Sequence, residues 1–526
     1  MEREVHRLIA LLDKPSPPLL NNVVYYTPRI SLAPLLIDLV DALFYSPLLR
    51  DTDPLEVYKA GEAIATWKMR ISLPSLPLSQ FFGVFDSCFK RCYSWSIGQV
   101  ALLAGMVSAR SEFMQLQKRY CIDGSGQVES LLCQWRQRLF LPLWVALLGD
   151  PGRDEVLVRL YAGLSDPSDV GNAMLAPWWN TIAKTSFRAM AGLVRGPGDE
   201  QRLLSGLART LQFALGQCNE QLVGGVLGQM VTVAQEVGQK STPPSSSAPF
   251  IALVVTTRGC LEARSRVPRH WYRDAILVLY YLNSIAREFG TLGFESYEYV
   301  YELSVAQWPD TNSTIHAMTS TELPQQLFLL GYIARAPSTS PQLHTSVSHY
   351  LTSNVKELRE AAHSAMVALM TRSPSAPATL QWRQDYLLEY ASLVILQYNN
   401  DALSSDQLND IFRCLAPSLV QIHTVNSDAA MALMHTLYRA IINTDPHTTC
   451  RRRDLLKCLT YQLPYCYPKY IVSWLENVNV LAAQSNDPQL LNDVHRSLWD
   501  VVSHSKNDIA LRWWYDQRTR GISSRL

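Results

Sequence analysis

Apolar residues recur at intervals of three and four along most of the chain, the spacing of amphipathic helices, and alternating strand-like stretches are scarce. Between 34 and 44, Leu35, Leu36, Leu39, Val40 and Leu43 share one side while Asp38 and Asp41 occupy the other. The same pattern predicts helices over 55–67, 128–148, 155–164, 200–215 and 221–237. Turn chemistry separates them, as in Asp150-Pro151-Gly152 and Arg195-Gly196-Pro197-Gly198-Asp199. Residues 250–255 read equally as a strand or as the start of a buried helix. Further helices are expected over 270–289, 296–307, 381–396, 405–415, 428–442, 452–463, 468–483, 490–503 and 508–517. Ser404 with Gln407 fits a capping box at one of these starts.

The fold class is therefore all-α. Over 355–369, Val355, Leu358, Ala362, Ala365, Met366 and Leu369 form one stripe, with Arg359, Glu360 and other polar residues around it. Small residues inward and charges outward suit stacked helical hairpins, and one hairpin per ~40 residues suits a HEAT/armadillo-like helical-repeat solenoid. The clearest interruption is the Ser/Thr/Pro stretch at 239–249, which has no apolar face and reads as a flexible loop. It divides the chain into an N-terminal helical region (1–238), the linker (239–249), a C-terminal helical-repeat region (250–517) and an exposed tail (518–526). Shorter punctuation at 336–341 and 373–378 joins neighbouring helices.

Composition narrows the function. The 526 residues are 48% hydrophobic, enough for a large interior, and 47 basic against 46 acidic residues leave a net charge of +1. That balance argues against a nucleic-acid-binding body. The basic run Arg451-Arg452-Arg453 reads as a solvated helix face. Ten dispersed cysteines contain no Cys-x-x-Cys pair, and Cys450, Cys458 and Cys466 have no histidine set to complete a zinc site, so free thiols and no metal are expected. The apolar segment 139–149 is too short to span a bilayer, and Gly224-x-x-x-Gly228 reads as close packing of a core helix. No phosphate loop, dinucleotide fingerprint, nucleophile elbow or paired histidine motif is present, so neither catalytic residues nor cofactors are expected. His363 beside the apolar stripe reads as a hydrogen-bonded packing residue. Of the adjacent aromatics Trp178-Trp179, Tyr280-Tyr281 and Trp513-Trp514-Tyr515, about half must point inward.

The sequence ends in Ser524-Arg525-Leu526, a small residue, a cation and a terminal leucine, which match the peroxisomal import tripeptide. A receptor can capture the free carboxylate with amides, seat Leu526 in an apolar slot and meet Arg525 as a cation.

With that ending, the chain resembles the fungal peroxin-8 family. The resemblance rests on Ser348-His349-Tyr350-Leu351 with 355–369, on 386–390 with Leu403-Ser404-Ser405-Asp406-Gln407-Leu408, and on 458–474 and 498–515 with Trp513-Trp514. It covers about the last third of the chain. It implies a non-enzymatic peroxisome biogenesis factor, peripheral on the lumenal face of the peroxisomal membrane. Such a scaffold links the docking complex to the RING-finger complex of the import machinery and contacts the cargo receptor. Ser524, Arg525 and Leu526 are the functional residues that carry over. The family's N-terminal nonapeptide signal is not matched, because Arg7-Leu8 is followed by Lys14-Pro15 at the required places. Two other readings compete: a matrix enzyme using the same address, and a cytosolic helical-repeat adaptor.

Overall fold

The computed structural model describes residues 1–523 apart from 15, 17, 72–74, 121–124, 197–199, 240–245, 338–341, 373–376, 424–426, 446–447, 485–487 and 505–507. The described residues form helices and no strand. They divide into two compact units, Met1–Ser304 and Val305–Leu526.

In the first unit the helix Ala33–Tyr45 buries Leu35, Leu36, Leu39, Val40 and Leu43, the face its sequence predicts. The next long helix, Pro54–Arg70, begins where Asp53 accepts the Leu55 amide at 3.2 Å and a proline occupies the first turn. It packs along Ile97–Ser108, which opens with a Ser96–Gln99 capping box. Glycines set how close this pair comes. A Cβ on Gly61 would lie 2.4 Å from the Leu102 carbonyl oxygen, and one on Gly105 would lie 2.0 Å from that of Tyr58. Only hydrogen fits at the crossing.

Beyond this pair come Pro151–Ala162, Trp179–Arg195, Gln201–Leu215, Glu220–Gly238, Ala248–Glu262 and Arg269–Phe289. In this run helices pack on the next in sequence and on the next but one. That ladder is what a stack of helical hairpins produces, two layers with each layer in self-contact.

Two expectations change in this unit. Residues 250–255 lie within the helix Ala248–Glu262, all-round burial explaining why no clean stripe is visible. The single helix expected over 128–148 is Ser125–Gln134, a π-helical turn at Trp135–Phe140, and Leu141–Leu147. Pro142 has no N–H to give the carbonyl four residues back, which favours a wider turn just upstream. In sequence, the boundary between the two compact units falls between Ser304 and Val305. The flanking helices Glu220–Gly238 and Ala248–Glu262 pack together, so the Ser/Pro stretch connects neighbours inside one unit.

The second unit repeats the ladder with Leu323–Arg335, Gln342–Leu351, Lys356–Thr371, Pro377–Asn399, Ser405–Leu415, Ser427–Asn443, Thr449–Gln462, Ile471–Ala483, Pro488–His504 and Asp508–Ser523 as its main helices. Leu358, Ala362, Ala365, Met366 and Leu369 are buried as predicted, while Val355 is the helix N-cap and is exposed. The Ser404–Gln407 box forms in both directions, at 2.9 and 3.2 Å. The last helix reaches Ser523 instead of ending at 517, and Arg518 and Thr519 within it are exposed. A single Gly521 disfavours a helix by only about 1 kcal/mol, too little to stop one anchored upstream.

Candidate interaction surfaces

Ser524, Arg525 and Leu526 lie outside the described residues. What the structure shows is the helix that carries them. Trp513 and Trp514 are both buried, and Trp514 sits 5.6 Å from Trp499 and 6.2 Å, edge-on, from His495. The Arg518 guanidinium stands 5.5 Å from the Trp514 ring centre, a cation–π contact. Tyr515 and Ile509 face solvent instead. Adjacent aromatics elsewhere split the same way: Trp179 and Tyr280 are buried, their neighbours Trp178 and Tyr281 half-buried.

A cleft of about 560 Å³ opens where three helices begin, Lys356–Thr371, Ser405–Leu415 and Thr449–Gln462. Its charges are largely committed to one another. Arg451 pairs with Asp401 at 2.6 Å, and Asp401 holds a left-handed φ of 58°, which aspartate tolerates at a helix end. Tyr398 donates its hydroxyl to Asp454 at 2.7 Å, and Arg359 donates to the Ser353 and Ala402 carbonyls at 2.9 and 3.0 Å. The basic run is thus not a uniformly solvated face, since Arg452 turns inward to 9% exposure.

Along the seam between Lys356–Thr371 and Ser405–Leu415 a smaller groove of about 250 Å³ has His363 at its wall. Both ring nitrogens are engaged, Nδ1 with the Tyr390 hydroxyl at 3.1 Å and Nε2 with Gln397 Oε1 at 2.8 Å. Gln397 in turn donates to the Leu351 carbonyl at 2.7 Å, which orients its oxygen toward the ring. Burial holds the His363 pKa below its ordinary value, with the hydrogen bond to Gln397 opposing and Arg359 reinforcing the shift. It is the packing residue the sequence predicts.

The first unit holds a buried ion pair that sequence patterning does not reveal. Arg136, on the π-helical turn, bonds Asp169 and the Leu164 carbonyl, and Asp169 also accepts from the Tyr161 hydroxyl at 2.6 Å. Tyr161 stacks on Trp144 at 4.6 Å. Burial and the Asp169 charge push the tyrosine pKa far up, so it stays a neutral donor. The separation of 33 positions between Arg136 and Asp169 hides the pairing from any local motif. Gly224 packs against Trp271, with Nε1 3.0 Å from where a Cβ would lie, whereas Gly228 faces open space. The predicted close packing therefore applies to one glycine of the two.

Among the described residues no group of three His, Cys, Asp or Glu side chains is placed to hold a metal, and no helix is long and apolar enough to cross a membrane. Cys458 and Cys466 are buried while Cys450 is exposed.

Comparison with known proteins adds what the geometry does not carry. Residues 381–524 match the family model of the PEX8 C-terminal domain. A relative from Saccharomyces cerevisiae, named Peroxisomal biogenesis factor 8, is 23% identical over 571 aligned residues, covering 96% of this chain and 95% of its own. The resemblance read from the last third of the sequence is thereby borne out. Two solved structures of the karyopherin Kap121p are similar at 10% identity. The one bound to the extreme C-terminus of the protein phosphatase Cdc14p has a TM-score of 0.45 and the one bound to the SUMO protease Ulp1p a TM-score of 0.41. The match covers 99% and 96% of this chain, which spans about half the length of those proteins (51% and 56%). The helical array described above rests on its own packing.

Proposed function

We propose that this chain, whose residues 381–524 belong to the PEX8 C-terminal domain family, is a peroxisome biogenesis factor that acts as a non-enzymatic scaffold in matrix-protein import. The observation that carries the reading is the family match, extended over nearly the full length by the relative named for that role. The import tripeptide at 524–526 supports it independently.

The mechanism is capture followed by bridging. Ser524, Arg525 and Leu526 engage the cargo receptor as cargo does, with the end carboxylate and the leucine side chain as the recognised features. In the lumen, peripheral on the membrane, its helical surfaces hold docking and RING-finger components together, and tethering raises their effective concentration for each other. Stacked helices suit this task because they present a long contact surface at little internal cost.

The test removes Leu526 from the full chain and measures receptor affinity and recovery of the chain with docking and RING-finger components from peroxisomal membranes. Loss of receptor binding together with co-purification of the intact chain is the expected result. Unchanged affinity without Leu526 refutes the tail's role, and recovery of the intact chain alone in the soluble matrix refutes the bridge.

A further inference from the structure

The helix Pro377–Asn399 buries a guanidinium that nothing among the described residues answers. Arg383 is 1% exposed, and among the described residues its Nε and both terminal nitrogens have no hydrogen-bond partner. The flanking Trp382 Nε1 and Gln384 Nε2 are also buried without partners. All five of these atoms are donors, so the unmet demand in this turn is for acceptors alone.

The surroundings add charge of the same sign. Arg372 follows the helix Lys356–Thr371 and donates to the carbonyls of Ile333, Ala334 and Ala336 at the end of Leu323–Arg335. That helix terminus carries partial negative charge and answers Arg372. Arg383 has no such counterpart among the described residues. Burial first, and then the charge of Arg372, lower its pKa to about 10, with no carboxylate contributing. An unpaired buried cation is strongly unfavourable, and methionine would fill the same length without that penalty. A water molecule would accept from an N–H but would leave the charge uncompensated. A planar fork of five N–H donors matches an oxyanion.

We propose that Arg383, with Arg372 beside it, is the centre of an oxyanion-binding site in the second unit, taking a carboxylate or phosphate group. The site is separate from the C-terminal tripeptide and goes beyond the import role proposed above. Two sources share the chemistry: a small free anion, and an acidic side chain of a docked protein.

The experiment follows thermal unfolding of the full chain in chloride, in inorganic phosphate at matched ionic strength, and in chloride with a hexaglutamate peptide. The same series is run on R383M and, as a smaller polar replacement, R383Q. The proposal expects phosphate or the peptide to raise the wild-type midpoint by about 3 °C or more, as binding to the folded state alone does. It expects both variants to lose that response, and R383M to unfold in chloride no earlier than wild type. A rise with phosphate assigns the small anion, and a rise with the peptide alone assigns the docked acid. An R383M midpoint several degrees lower in chloride would show that the chain already satisfies the guanidinium, and overturns the proposal. So does an equal phosphate response in variants and wild type, or no wild-type response to either ligand.

Discussion

Replacing a helical glycine by alanine should have opposite signs at two positions of the first unit. In an unconstrained helix interior the change gains about 1 kcal/mol, because glycine loses the most backbone freedom on folding. Gly228 meets that condition, since a Cβ there has nothing within 4 Å. At Gly105 the Cβ would stand 2.0 Å from the Tyr58 carbonyl oxygen and 2.8 Å from the Glu62 amide. Ordinary contact begins near 3.4 Å, so the helices Pro54–Arg70 and Ile97–Ser108 must separate by about 1.4 Å (3.4 less 2.0). Overpacking of this kind costs about 1–3 kcal/mol, and a gap beyond 1 Å forfeits close to half of each dispersion contact along the seam. Backbone cannot rotate away as a side chain can, so the upper figure applies. The net for G105A is a loss of about 2 kcal/mol, against a gain of up to about 1 kcal/mol for G228A. Thermal unfolding should show the G105A midpoint lower by about 4 °C and the G228A midpoint higher by about 2 °C. If G105A is as stable as wild type, or both variants shift the same way, the helices do not cross at Gly61 and Gly105.

Stability should also depend on His363 in a defined pH window. Its folded pKa is lowered, so the unfolded chain takes up the proton first, near 6.5; the contribution is complete above pH 6.5 and is lost as pH falls through the lowered folded value. H363Q should flatten that part of a stability-against-pH curve measured by urea unfolding, and an unchanged slope would show that other groups produce it. Truncating Arg136 to alanine should cost about 3–5 kcal/mol by stranding the buried Asp169 charge, whereas R153A, at the exposed pair with Asp150, should leave the urea midpoint where it was. Among the cysteines of the described residues, thiol labelling of the native chain, read by mass spectrometry, should find Cys414 and Cys450 first. Cys88 and Cys218, whose thiol pKa values burial pushes to about 12 and about 11, should react only after unfolding, and early labelling of either would contradict their burial.

Helices with a one-sided stripe were legible in the sequence, as 34–44 and 355–369 show, because partial burial writes a 3.6-residue period into composition. Ala248–Glu262 was ambiguous at 250–255 since a helix buried nearly all round has no polar face to set the phase. The π-helical turn was hidden in an unbroken apolar pattern, with Pro142 as its one local cue. A Ser/Pro stretch such as 239–249 announces a loop, but whether its flanking helices pack together depends on contacts distant in sequence. The same limit applies to Arg383, which looks like an ordinary charged helix residue until its neighbours are known. His363 was readable because the stripe on both sides of it fixed which way it faced.

The ladder of near-neighbour contacts bears on how the molecule meets force. Most helix packing is between elements near one another in sequence, so tension applied at an end falls first on the outermost layer. Such an object peels in instalments, like a seam unpicked stitch by stitch, and what remains beneath stays folded. Yielding by degrees also leaves a folded template on which the detached layers can close again.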